Sequence, residues 1–203
     1  MNRVLRLFAV LALTGTLAGC GVNAIPTAEE NARAKFADVQ AQYQRRADLI
    51  DNLVATVKGF AAQEREVLTQ VTEARARASQ VQIDASTITD PAQLAQFEAA
   101  QNQLSGALGR LLVTVERYPE LRSSENFLTL QSQLEGTENR IAVARRDYND
   151  AVREYNTLLR TFPTVIWANT LHASSKPMEP FQASAEAQTA PSVSFEPAPA
   201  PQP

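Results

Sequence analysis

Between Thr27 and Val81, apolar side chains recur at alternating three- and four-residue steps. One series is Phe36, Tyr43, Ile50, Val57, Glu64, Val71, Ala78; its partner is Val39, Arg46, Leu53, Phe60, Val67, Ala74, Val81. Only Arg46 and Glu64 interrupt them. This spacing predicts helix with one buried stripe. Thr27 followed by Glu30 has the form of a capping box. A second seam runs Leu94, Phe97, Gln101, Leu104, Leu108, Leu111, Val115, Tyr118, opened by Asp90-Pro91, an N-cap with Pro at the first helical position. A third, from Glu120 to Phe162, holds Phe127, Leu134, Ile141, Tyr148, Tyr155, Phe162 beside Leu130, Thr137, Ala144, Ala151, Leu158, and Pro163 closes it.

These seams predict an all-α fold, an antiparallel up-down bundle of long helices, with four rods favoured. An unbroken helix over 27–81 would reach roughly 80 Å, about twice the second helix, and such rods overlap poorly. A break is therefore expected at Asp51 or near Gly59. The charges beside the third seam (Glu138, Arg140, Arg145, Asp147, Glu154) read as solvated flanks, each ion pair contributing less than about 1 kcal/mol. Residues 173–203 hold seven of the 11 prolines and are expected to form a disordered tail. The predicted organisation is a leader over 1–19, a linker over 20–26, a bundle over 27–172 and a tail over 173–203.

The N-terminus changes the picture. Arg3 and Arg6 precede the apolar run Leu7–Leu13, a signal-peptide pattern too short to span a bilayer. It ends Leu17-Ala18-Gly19-Cys20. This resembles the bacterial lipoprotein processing motif, in which the Cys is acylated and becomes the new N-terminus. Two or three acyl chains on Cys20 would hold the protein to a membrane without a spanning helix. Gly21 stands where inner-membrane lipoproteins usually carry Asp, which favours the outer membrane facing the periplasm in a Gram-negative cell.

Composition narrows the chemistry. The 203 residues carry a formal charge of −3, so no basic field points to nucleic acid. One Cys and one His leave too few ligands for a zinc centre or a Glu-x-x-His di-metal bundle. No Gly-rich phosphate loop is present. No metal, cofactor or catalytic residue is therefore expected, and His172 reads as exposed. Arg46 and Glu64 remain because they sit at core-facing positions. Their long side chains could snorkel to the edge, find internal partners that fix register, or, for Arg46 with Arg45 and Asp48, meet a partner. Glu138, Asn139 and Arg140 belong to the same set of register-fixing or partner-facing polar residues. Tyr148-Asn149 and Tyr155-Asn156 stand seven apart. Buried rings with hydroxyls on helix backbones or flanking charges are the expectation; a groove for a partner helix is the alternative.

The motifs Tyr43-Gln44-Arg45-Arg46-Ala47-Asp48-Leu49-Ile50, Leu134-Glu135-Gly136-Thr137-Glu138-Asn139-Arg140-Ile141 and Ala144-Arg145-Arg146-Asp147-Tyr148-Asn149 resemble the signature of the LemA family. The resemblance covers about residues 22–170. It implies a membrane-tethered helical bundle and carries over no catalytic residue. The chain departs from the family pattern in its lipoprotein-type start, in Asp51 where Pro is usual, and in its Pro-rich end. The expected function is a non-enzymatic, lipid-anchored scaffold or adaptor of the cell envelope with an unnamed protein partner. A self-assembling coiled-coil module whose seams close in a homo-oligomer is the alternative.

Overall fold

The computed structural model describes residues 21–81 and 87–182. Four long helices dominate: α1 (Ala24–Phe60), α2 (Arg65–Gln80), α3 (Pro91–Val115) and, after the one-turn α4 (Pro119–Arg122), α5 (Glu125–Leu158). A short α6 (Thr164–Asn169) follows, and a 3₁₀ turn at Thr87–Thr89 precedes α3. Among the described residues there is no strand.

The helix ends follow local chemistry. Asp90 caps α3, its Oδ1 accepting from the N–H of Ala92 (2.9 Å) and Gln93 (3.4 Å). Ser124 Oγ accepts from Phe127 N–H at 3.3 Å and starts α5. The capping box expected at Thr27 is not used. α1 begins three residues earlier, with Pro26 in its first turn, where a missing N–H removes no helical bond. The last three residues of the linker expected over 20–26 are therefore helix, and Ile25 is fully buried. α1 also runs unbroken through Asp51, whose carboxylate pairs with Arg75 of α2. Leu49, Ile50 and Leu53 are buried around it, and no Pro interrupts the ladder. The break falls on the Gly59 side, at a turn over 61–64 beneath the buried Ala61. The third segment is not one rod. Leu121, fully buried, anchors α4 before α5 starts, and α5 stops at Leu158, so Phe162 lies outside the seam and is 80% exposed.

Residue pairs fix the directions. Phe36 meets Tyr148, and Arg46 meets Glu138, so α1 and α5 are antiparallel. Gln70 meets Arg110 and Glu64 meets Arg117, so α2 and α3 are antiparallel. The seams bury within one chain, in two apolar clusters. One, around Leu53, Val57, Leu68, Leu111 and Phe127, lies where all four rods overlap. The other, around Phe36, Val39, Tyr148 and Tyr155, lies where α1 and α5 run on past α2, with Leu94 and Phe97 from the start of α3 packed beside them.

That overhang is roughly 30 Å, since α1 has 37 residues and α2 has 16. It is covered by Ile88 of the 3₁₀ turn, by α6, and by an extended strap over 176–182. Met178 (2% exposed) and Phe181 (5%) of the strap enter the core. The folded unit therefore reaches at least to Gln182, ten residues beyond the boundary expected at 172. The prolines that suggest a tail, Pro177 and Pro180, alternate here with two anchors that belong to the core. Residues 183–203, with the rest of the expected tail, lie outside the described residues.

A chain ending at His172 is expected to melt well below one ending at Gln182. Met178 and Phe181 each contribute roughly 1.5–3 kcal/mol of burial, and each kcal/mol moves Tm by about 2–4 °C at this size. Thermal unfolding followed by circular dichroism of the two chains measures the difference.

Candidate functional site

Arg46 lies between the two apolar clusters and is 2% exposed. α1 presents it on the inner stripe, one turn after Tyr43, and its guanidinium rests over the Tyr43 ring at 5.0 Å. Nη1 donates to Glu138 Oε1 (3.1 Å) and to Ser105 Oγ (3.2 Å). Nη2 donates to the side-chain oxygen of Gln101, itself buried. Arg46 thus joins α1, α3 and α5 in one polar layer. It has internal partners and does not snorkel. The charge of Glu138 stays half in water, which limits the desolvation that makes fully buried pairs costly. Glu64, at the turn before α2, also has internal partners: its Oε1 accepts from Tyr118 Oη (2.6 Å) and Arg117 Nη2 (3.0 Å).

The second assembly lies on α5. Seven residues return a side chain to nearly the same helix face, so Tyr148-Asn149 and Tyr155-Asn156 form two equivalent pairs. Both meet the strap. Tyr148 Oη donates to the carbonyl of Glu179 (2.9 Å), and Tyr155 Oη to that of Lys176 (3.0 Å). Asn149 binds Phe181 twice: Nδ2 donates to its carbonyl (2.9 Å) and Oδ1 accepts its N–H (2.8 Å). Asn156 treats Met178 the same way, at 2.8 and 3.0 Å. Seven helical residues rise about 10.5 Å, and three residues of extended or polyproline-like chain advance about 9–10 Å. The heptad on α5 therefore matches a three-residue repeat in the strap. The hydroxyls reach the strap's main chain, where helix backbones or charges were expected.

Three further hydrogen bonds complete the strap. Glu179 N–H donates to Ile88 O at 2.9 Å. Gln182 is held at both ends, its N–H by Glu98 Oε1 (3.2 Å) and its carbonyl by Arg145 Nη2 (2.9 Å). Arg145 also pairs with Glu98 at 2.7 Å and stacks over Phe181 at 4.7 Å. Arg145 is thus no solvated flank. Every N–H from Met178 to Gln182 has a partner, and Pro180 has none to satisfy. Burial raises the affinity of Tyr43, Tyr148 and Tyr155 for their protons, so the phenols remain donors at neutral pH. Burial also raises Glu98 above the usual carboxylate range, against the pull of Arg145.

The other predicted positions separate. Arg45 and Asp48 are exposed on the outer face of α1, and Asp48 accepts from Gln44. Asn139 and Arg140 are exposed on α5 and border a surface groove with Lys35, Asp38 and Asp147. None of these four joins the Arg46 layer. His172 is half-buried, its Nε2 3.0 Å from the carbonyl of Val22. Leu17, Ala18, Gly19 and Cys20 lie outside the described residues. Among the described residues no group of three or more His, Cys, Asp or Glu side chains is placed to hold a metal ion. The sequence reading missed Gln101 and Ser105 as partners of Arg46, and Met178 and Phe181 as anchors. The three-residue spacing of two large apolar residues, each directly after a proline, was the available signal for the anchors.

The LemA family model matches residues 35–195, and so runs through the strap. Magnetosome protein MamQ 1 of Paramagnetospirillum magneticum is 27% identical over 176 residues, covering 79% of this chain and 64% of the relative. Magnetosome protein MamQ of Magnetospirillum gryphiswaldense is 26% identical over 157 residues, covering 70% and 58%. Protein LemA of Metamycoplasma hominis is 26% identical over 131 residues, covering 64% and 54%. The chain therefore spans less than two thirds of the length of these relatives.

Replacing Arg46 by Met leaves the buried Gln101 amide without its donor, a loss of about 1–3 kcal/mol. The expected result is a folded helical protein with a Tm lower by several degrees. An unchanged or higher Tm in a thermal melt contradicts the internal role of Arg46.

Proposed function

This chain belongs to the LemA family, and from that premise we propose that it is a lipid-tethered, non-enzymatic scaffold or adaptor of the bacterial cell envelope. The observation that carries the reading is what the polar side chains of the core do. Arg46, Tyr148, Asn149, Tyr155 and Asn156 spend their hydrogen bonds joining helices to one another and to the strap. These groups build a rigid body. A catalytic site needs such groups aimed at an open reaction volume.

The tether rests on Leu17-Ala18-Gly19-Cys20 and the leader before it. Among the described helices none is long and apolar enough to cross a membrane. Acyl chains on Cys20 would supply the attachment, two or more being needed for stable anchoring. The names of the MamQ relatives place those proteins with the magnetosome, and we take this as support for work at a membrane. The adaptor surface is assigned to the outward polar residues that the fold does not use internally: Arg45 on α1, and Asn139 and Arg140 on α5.

One preparation tests both halves. Membranes from cells carrying a photo-crosslinking residue at Arg140 are fractionated, and the captured protein is read by mass spectrometry. The expected N-terminal peptide begins at Cys20 with acyl mass, and the crosslinked band carries a discrete partner lost when the probe is moved to a buried position. An uncleaved leader with a bare thiol contradicts the tether. Background alone in the crosslinked lane contradicts the adaptor.

A further inference from the structure

We propose that the end of the bundle nearest Cys20 is a membrane-contacting foot, in which Phe162, Ile166 and Leu171 enter the lipid interface beside Trp167. The proposal rests on the tether reading above and goes beyond it: the protein's own surface, and not only its acyl chains, meets the bilayer.

The segment 162–171 folds back over the start of α1. Thr164 is buried, and Trp167 and Ala168 pack on the apolar cluster beneath. The outer side is left with Phe162 at 80%, Ile166 at 49% and Leu171 at 65% exposure. Three large apolar side chains facing water within ten residues are unusual for a soluble surface, and such patches mark binding faces. Phe60, Val113, Leu128 and Val143 are also exposed, but the first three belong to three different helices at the opposite end of the bundle, and Val143 stands by itself midway along α5.

The place of the chain's start selects the occupant. A Cβ on Gly21 would stand 3.5 Å from Trp167 Nε1 and 3.6 Å from Thr164 Cγ2. The carbonyl of Val22 meets His172 Nε2 at 3.0 Å. The residue after Cys20 is thus seated against the foot. Consecutive Cα atoms are about 3.8 Å apart, so an acylated Cys20 brings the lipid surface to Trp167 with no linker to separate them. Aromatic residues with one polar edge favour this depth, and aliphatic neighbours favour the acyl boundary beneath it. Arg160 is exposed just before the patch and would face headgroup phosphates. Glu29, on the first turns of α1, is paired with Arg33 at 2.7 Å, and Glu30 lies 3.9 Å from the same guanidinium. With this foot down, α1 rises from the bilayer and carries the 61–64 turn and α4 to its far end, roughly 55 Å away.

Trp167 is the protein's single tryptophan and reports directly. The full-length protein is purified from membranes in detergent, the mass of its N-terminal peptide is measured, and the protein is reconstituted into phosphatidylcholine–phosphatidylglycerol vesicles, with or without brominated acyl chains. The expected result is blue-shifted Trp167 emission that brominated lipid quenches. In the Phe162→Ser, Leu171→Ser double variant, the quenching falls while the protein still floats with the vesicles. Acylated, floating protein whose Trp167 emission is untouched by bromine overturns the foot and leaves the tether standing. Quenching in protein whose N-terminal peptide carries no acyl mass supports the foot and removes the tether. Unacylated and unquenched protein overturns both.

Discussion

An extended segment cannot be buried against a helix unless something answers its main-chain groups. The helix has already spent its own N–H and C=O internally, and each buried unpaired group costs about 1–3 kcal/mol. This protein meets the constraint with side chains. Asn149 and Asn156 each offer one donor and one acceptor from the same amide, the complement of one residue of extended backbone. Tyr148 and Tyr155 supply donors to the carbonyls of Glu179 and Lys176. Once the strap is satisfied, Met178 and Phe181 can close the core over the part of α1 and α5 that α2 is too short to reach.

The polar layer around Arg46 has a different task. It divides the core into two apolar clusters and ties three helices at one level. A purely apolar stripe would let α1 slide against α5 by one turn at little loss. A guanidinium that needs Gln101, Ser105 and Glu138 at once fixes the level.

The elements differ in how far the chain itself announces them. The seams through Phe36, Val57, Leu104 and Tyr155 are legible because a buried stripe imposes its period on local sequence. Asp90-Pro91 is legible because capping is local. Arg46 stands out as a polar residue in a seam, but Gln101, Ser105 and Glu138 lie 55, 59 and 92 residues away, and nothing near Arg46 names them. The Tyr-Asn heptad is visible; its use is not, because the strap it serves has the composition of a tail. Proline content argues against helix and core, yet polyproline-like chain turns every three residues, and Met178 and Phe181 use that turn to face inward together. The foot at 162–171 is hidden for the opposite reason: Phe162 continues the heptad of α5, and only the helix ending at Leu158 turns it outward.

The central claim is that α5 holds the strap by its main chain. Amide hydrogen exchange at Met178 and Phe181 measures this directly. The account predicts protection at both amides comparable to the interior of α5, with Phe181 losing protection in Asn149→Ala and Met178 in Asn156→Ala. Exchange at these two amides as fast as in an unstructured peptide, while α1 and α5 stay protected, would contradict it.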